Sequence, residues 1–309
     1  MKIAMIGHKR IPSREGGIEI VVEELSKRMT ALGHSVTAYN RASRHVAGKT
    51  YDTGKHIHNM DGVRIRWIPT PNNRKLNAIV YSFFATCAAL CGGYDVLHFH
   101  AEGPAAMVPL AKLFGKKCVV TIHGLDWQRA KWGGFATKFL RFGEKAAAKY
   151  ADEIIVLSKN VQQYFSDTYG RKTTYIPNGI TKPDYRDDCA IANKYGLKKN
   201  GYILYLGRIV PEKGIHYLID AYGALQTDKA LVIAGGTSHS ADYADALKKQ
   251  AAKYQNILFT DFVQGELLES LYANAYIYVL PSDLEGMPIS LLEAMSYGNC
   301  CLTSDIPEC

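Results

Sequence analysis

Three things are missing from this 309-residue chain, and each removes a class of protein. No Cys-x-x-Cys pair occurs among its seven cysteines, an odd number lying mostly in apolar runs. A disulfide framework and a cysteine-built metal site are therefore not expected, and a reducing compartment is. Cys87 and Cys91 stand i,i+4 on an expected helix, where packing outranks metal binding because no second ligand pair accompanies them. No uncharged apolar run reaches the ~20 residues that span a bilayer; the longest, 78–92, is broken by Ser82 and Thr86. No G-x-G-x-x-G follows the first apolar segment, where Gly7-His8-Lys9-Arg10 stands instead, which disfavours a nicotinamide enzyme.

What is present is ordinary for a soluble, core-forming chain: 47% hydrophobic and 21% charged residues. Its length fits two domains. The formal charge of +8 points to an anionic partner, and it is unevenly spread. Residues 1–180 carry 26 basic and 13 acidic side chains, net +13, whereas 181–309 carry 11 and 16, net −5. Residues 2–6 are apolar from the outset and read as a buried strand rather than a signal peptide, so a cytoplasmic or peripheral protein is expected.

Short β-branched runs alternate with helical stretches, the pattern of parallel α/β units. Strands are expected at 2–6, 36–39, 63–68, 96–99, 118–122 and 154–157, and then at 203–206, 231–234, 257–259, 277–280 and 301–303. The apolar spacing predicts helices over 18–32, 76–90, 104–114, 135–150 and 161–169, with Gly33 closing the first and Ser158 capping the last. Residues 41–61 read as a polar surface loop, and 76–90 as a buried helix. The Pro and Asn-Gly break at 177–179 separates a domain of residues 1–180 from one of 181–309. Two doubly wound domains facing across a cleft are expected, with ligands at the strands' carboxyl ends.

Four constellations fall at such ends. Gly207-Arg208, then Pro211-Glu212-Lys213-Gly214 opening a helix, would gather fixed cations and helix N–H groups into a diphosphate site. Glu285-Gly286-Met287-Pro288 precedes a helix in which Glu293 is expected about two turns along. Carboxylates there suit sugar diols, and Glu293, flanked by Leu291, Leu292, Ala294 and Met295, is partly buried and needs a partner. Gly16-Gly17 at the first strand–helix turn would let backbone approach phosphate. His123 follows a strand directly, ahead of Asp126 and Trp127, and faces the crevice. Each has a plainer reading, as a surface loop, a turn or a structural histidine.

Taken together, Gly16-Gly17, Thr121-Ile122-His123-Gly124, Ile176-Pro177-Asn178-Gly179, Gly207-Arg208…Lys213-Gly214 and Glu285…Glu293 resemble a family-4 retaining glycosyltransferase of GT-B architecture. The Glu285-x7-Glu293 spacing with the upstream Arg–Lys pair is the specific part. Ile11-Pro12…Glu19, His123–Trp127 and Lys131-Trp132 further resemble the rhamnosyltransferase-type enzymes of bacterial polysaccharide synthesis.

The resemblance implies roles. Arg208 and Lys213 would bind and stabilise the departing diphosphate, Glu293 the ribose, and Glu285 with the backbone of Gly286, Met287, Pro288 and Ile289, whose N–H groups other than at the proline can donate, the donor sugar. Gly16 and Gly17 would contact phosphate, His123 would lie beside the reacting sugar, and Phe262-Val263 would meet the base. Asp261 stands where the family often has glycine, which leaves the base open among UDP, dTDP and GDP. Asp126, Trp127, Arg129 and Lys131 would face a saccharide or polyprenyl-diphosphate-linked acceptor. Fixed cations at the diphosphate, and the absence of any D-x-D, imply catalysis without metal or cofactor.

Such acceptors sit at the inner face of a membrane. The basic side chains Lys112, Lys116, Lys117, Arg129, Lys131, Lys138, Arg141, Lys145 and Lys149 would then meet anionic lipid. Nucleic acid is not an expected partner. A sugar-nucleotide epimerase of the same architecture and a non-catalytic homologue stay open alternatives. The latter arises because family members usually continue beyond residue 303, so the second domain is expected to be incomplete, marginally stable and apolar at its surface.

Overall fold

The computed structural model describes residues 1–42, 57–73, 76–128, 133–183, 187, 189–237 and 240–309. Contacts divide the chain into two units, Met1–Pro177 and Asn178–Cys309.

The first unit runs β1 (Lys2–Ile6), α1 (Gly17–Ala31), β2 (Ser35–Arg41), β3 (Asn59–Met60), β4 (Val63–Ile68), α2 (Asn77–Leu90) and β5 (Val96–His100). It continues with α3 (Glu102–Ala105), α4 (Val108–Leu113), β6 (Lys117–Ile122), α5 (Gly134–Tyr150), β7 (Glu153–Val156), α6 (Lys159–Tyr169) and β8 (Thr174–Tyr175). Its eight strands order as β3-β4-β2-β1-β5-β6-β7-β8, parallel throughout except where β3 meets β4. The strands' apolar alternation feeds two cores. Leu97, Phe99, Val120 and Ile154 pack with α2, α5 and α6, and Met5, Val36 and Ile65 pack with α1.

The second unit runs α7 (Cys189–Tyr195), β9 (Tyr202–Leu206), α8 (Ile215–Ala224), β10 (Ala230–Ala234), α9 (Ala241–Ala251) and β11 (Ile257–Asp261). It ends with α10 (Glu266–Ala273), β12 (Ile277–Leu280), α11 (Ile289–Ser296) and β13 (Cys301–Thr303). The sheet order is β11-β10-β9-β12-β13, and every pair is parallel.

Several expectations need correction. The 104–114 helix is two short helices, because Ala106 and Met107 turn between α3 and α4. The loop at 41–61 contains β3, which pairs antiparallel with β4; residues 43–56 of it lie outside the described ones. The α2 helix is not wholly buried: Phe83 and Phe84 face outward, as a run apolar around most of the helix could not reveal. Two local signals behave as read. Gly33 is left-handed after α1, and Ser158 Oγ accepts the Val161 N–H at 3.2 Å. Among the described residues the cysteines form no disulfide. Among the described residues no helix is long and apolar enough to cross a membrane.

One close approach fixes α5 against α3. A Cβ at Gly143 would lie 1.9 Å from the Glu102 carbonyl oxygen. Alanine ordinarily favours a helix over glycine by ~1 kcal/mol, but here it would overpack. Gly143→Ala is therefore expected to destabilise by ~1–3 kcal/mol, read as a lowered urea midpoint with unchanged slope.

Candidate active site

In the second unit the loops after β9 and β12 converge. Gly207 and Arg208 leave β9, and Pro211–Lys213 form a 3-10 turn that ends at left-handed Gly214 before α8 begins. Lys213 therefore does not open the helix, as expected from sequence; it ends a separate turn. Gly214 is required there, since a Cβ would meet the Pro281 carbonyl oxygen at 1.9 Å. That contact presses the turn against the end of β12. The Lys213 ammonium, 12% exposed, bonds the Glu285 carboxylate, 7% exposed. Glu285 also accepts the Ser282 hydroxyl at 2.7 Å, and the Asp283 N–H donates to the Glu212 carbonyl at 3.0 Å. Two loops 72 residues apart are thus joined through a shielded ion pair.

Pro288 caps α11, so the helix starts later than expected and Glu293 lies about one turn along it rather than two. The partner that a partly buried Glu293 required is Tyr272, whose hydroxyl donates at 3.0 Å. Tyr278 donates to Ser290 Oγ at 2.9 Å, tying the start of α11 to the sheet. Gly286, Pro288 and Ile289 are buried. Asn178 holds the intervening Met287, donating its backbone N–H to Sδ at 3.1 Å and its amide Nδ2–H to the carbonyl at 3.4 Å. Phe262 and buried Val263 follow β11. Gly235, which sequence reading passed over, is left no choice of residue: a Cβ would lie 1.8 Å from the Gly207 carbonyl oxygen.

In the first unit the carboxyl ends of β1, β5 and β6 carry histidines. His123 Nε2 is 3.1 Å from His100 Nδ1, and the His100 ring stacks on His98 at 4.3 Å. His98 Nε2 meets Thr121 Oγ1 at 2.7 Å, and His8 Nε2 donates to Asn40 Oδ1 at 2.9 Å. Burial lowers His8 to about 4 and His98 to about 3, and holds His100 well below the ordinary value. Sequence reading found His123 but missed its neighbours; the signal was available in His98-x-His100, whose two-residue spacing puts both on one face of a strand.

Gly16 is the extended residue before α1, and Gly17 is its first residue. The room Gly16 leaves is taken by the Glu19 carboxylate, 2.4 Å from where a Cβ would stand. Glu19 also accepts the Lys9 N–H at 2.9 Å. Asp126 and Trp127 form a 3-10 turn after β6. The Trp127 indole N–H donates to Glu144 at 2.9 Å, and Arg141 stacks over its ring at 4.2 Å, so its polar edge and one face are occupied. Glu144 further accepts from Tyr164 at 2.8 Å and from Tyr169. Beside it Glu102 is fully buried, and burial with the neighbouring Asp126 and Glu144 charges pushes it up to about 10. Ala101, in front of it, holds φ 75 and ψ 163, a strained conformation for a residue with a side chain. Arg129 and Lys131 lie outside the described residues.

Residues 15–182 match the model of Glycosyltransferase Family 4, and residues 189–309 match that of Glycosyl transferases group 1. The chain belongs to glycosyltransferase family 4, and its two Rossmann-like sheets are those of the GT-B fold. It is 26% identical to a GDP-mannose-dependent alpha-(1-6)-phosphatidylinositol monomannoside mannosyltransferase of Mycolicibacterium smegmatis, covering 93% of this chain and 76% of that one. It is 28% identical to a UDP-Gal:alpha-D-GlcNAc-diphosphoundecaprenol alpha-1,3-galactosyltransferase of Escherichia coli, over 69% of this chain and 58% of that one. Anabaena Alr3699/HepE, solved with UDP and glucose, superimposes with a TM-score of 0.79 at 18% identity, covering 100% of this chain and 82% of that one. The protein is a glycosyltransferase.

The buried imidazoles make stability depend on acid. Their folded pKa values lie below the unfolded ~6.5, so below that pH the unfolded chain binds protons the native state refuses. Stability is expected to be intact above pH ~6.5 and to fall as pH drops from there towards 4, by up to ~1.4 kcal/mol per unit for each histidine. Urea titrations at stepped pH check this, and His98→Gln should flatten the slope.

Proposed function

We propose that the second unit binds a nucleoside-diphosphate sugar and that the enzyme passes the sugar to a saccharide or lipid-linked acceptor served by the first unit. The observation that carries this is the Lys213–Glu285 pair, which joins the loop after β9, where Arg208 stands, to the loop after β12 that leads into α11 and Glu293. As the glycosidic bond breaks, negative charge builds on the departing diphosphate, and fixed cations act where it develops. Arg208 and Lys213 serve there, Glu285 with the N–H groups of Gly286, Met287 and Ile289 holds sugar hydroxyls, and Glu293 holds the ribose. Phe262 and Val263 lie against the base. Lys213 reaches the diphosphate from its bond with Glu285, which stays satisfied through Ser282.

In the first unit His123 stands beside the reacting sugar, and Asp126 and Trp127 shape the acceptor side. The reading includes a retaining transfer without metal, with rhamnose or another hexose as the sugar. The relatives named for GDP-mannose, UDP-galactose and UDP with glucose support a nucleotide-sugar donor without choosing its base. A thermal-shift panel of UDP, dTDP and GDP sugars reads the choice. At 100 times its Kd the cognate donor adds ~2.7 kcal/mol, and equal shifts for all three would count against a dedicated donor site. Arg208→Ala is expected to lower kcat ~100-fold or more with both substrates saturating; near wild-type turnover would sink the assignment.

The same reading places the basic first unit on an anionic membrane carrying the acceptor. Along α5 the exposed stripe is Phe135, Lys138, Phe142, Lys145 and Lys149, with the two phenylalanines 74% and 53% exposed. Of the other basic side chains, Lys112 is tied to Asp152, Lys116 to the Tyr94 carbonyl and Arg141 to Trp127, while Lys117 is exposed. Co-sedimentation with vesicles should rise with anionic lipid content and fall in Lys138→Glu/Lys145→Glu. Equal binding to neutral and anionic vesicles would refute the docking.

A further inference from the structure

The hydrogen bond between His100 Nδ1 and His123 Nε2 can hold its proton on either nitrogen, and the two choices give His123 opposite chemistry. The far side of His100 decides between them. His100 is fully buried, and among the described residues its Nε2 has no hydrogen-bond partner. Were His100 to accept from His123, its own proton would sit on that Nε2 as an orphaned buried N–H, which native structures rarely contain. With the proton on Nδ1, only a bare lone pair is orphaned.

His8 makes the same choice with no ambiguity. Asn40 is oriented by Ile11, donating from Nδ2 to its carbonyl at 2.8 Å and accepting its N–H on Oδ1 at 3.0 Å. That Oδ1 can only accept, so His8 carries its proton on Nε2 and leaves the unpartnered Nδ1 bare.

We infer that His100 is a positioning residue: it donates from Nδ1 to His123 Nε2, fixes His123 as its Nδ1–H tautomer, and makes it a neutral hydrogen-bond donor rather than a proton acceptor in sugar transfer. The inference rests on the reading of His123 as the residue beside the reacting sugar. The His100 ring is itself held by stacking on His98, which Thr121 Oγ1 ties down. The titratable groups acting on the pair are His98 and His8, and behind His8 stand Glu19 and Arg41. Burial keeps His100 uncharged, so protonating His123 at Nε2 would require His100 to move its proton to the orphaned position. In the transfer the bond from the sugar's anomeric carbon to the diphosphate breaks with its electron pair on the diphosphate. The bond to the acceptor oxygen forms, and the acceptor proton leaves on the diphosphate, not on His123.

Long-range proton–nitrogen NMR of the uniformly 15N-labelled full chain reads the tautomer directly, with His123 assigned by its loss in His123→Gln. The wild type should show a protonated Nδ1 and a bare Nε2 at His123, unchanged between pH ~5.5 and ~8, across the ordinary imidazole range. His100→Ala should remove the Nδ1–H donor and with it the fixed tautomer of His123, with turnover ~10-fold lower. His100→Asn, whose amide can donate from near the Nδ1 position, should restore both, and thermal melts verify that each variant folds. A wild-type spectrum with the proton on His123 Nε2 overturns the inference, as does a folded His100→Ala with unchanged spectrum or turnover. Full turnover in His123→Gln would instead remove the site reading, while the spectrum alone still judges the tautomer.

Discussion

Parallel strands all finish at one edge, and the gathering of the candidate site's loops follows from that constraint. In the second sheet each strand pair is parallel, so the loops after β9, β10, β11 and β12 emerge together although the sequence separates them widely. Close backbone approaches hold these loops at distances a Cβ would forbid: Gly214 against Pro281, and Gly235 against Gly207. The Lys213–Glu285 pair spans the same junction, so a cation from one loop and a carboxylate from another share one small volume. Parallel pairing brings the residues together; the glycines and the ion pair set how closely.

Burying such groups is expensive, and the two units offset the cost differently. In the second, opposite charges are paired and then hydrogen-bonded: Glu285 has both Lys213 and Ser282, and Glu293 has Tyr272. Removing one partner of a shielded pair typically costs ~3–5 kcal/mol where the survivor is left charged and alone; the Ser282 hydroxyl spares Glu285 that extreme. In the first unit the charge itself is removed. His8, His98 and His100 stay neutral, Glu102 is pushed up to about 10, and only Glu144 is furnished with three donors, from Trp127, Tyr164 and Tyr169. Burial and the neighbouring acids favour the protonated form of Glu102, while the hydrogen bonds from its neighbours gather on Glu144.

Much of this was legible in the sequence because the signals were local. Short β-branched apolar runs marked the strands, the Ser158 cap and Gly33 marked helix ends, and the Glu285-x7-Glu293 spacing pointed to the loop after β12 that the structure joins to Lys213. What was not legible depended on contacts distant in the chain. The break between α3 and α4 and the late start of α11 are boundary effects, the second set by Pro288. The exposure of Phe83 and Phe84 cannot be read from a helix apolar on every side. The role of Glu144 needed Trp127, Tyr164 and Tyr169, seventeen to twenty-five residues away, to be seen around it.

Gly16 illustrates the limit of motif reading most sharply. A glycine pair at a strand–helix turn permits close approach of backbone to phosphate, yet permission is not occupancy. Here the space beside Gly16 is filled by the chain's own Glu19 carboxylate, which also binds the Lys9 N–H. An anion approaching that side would meet a carboxylate, so the glycine there is explained by the fit of Glu19 alone. By contrast, Arg208 and Lys213 stand where the strand ends converge, and the carboxylate beside Lys213 has a second donor to fall back on. The same residue types thus carry different weight: a glycine gap closed from within is structural, and a cation whose partner remains satisfied on its departure is able to act.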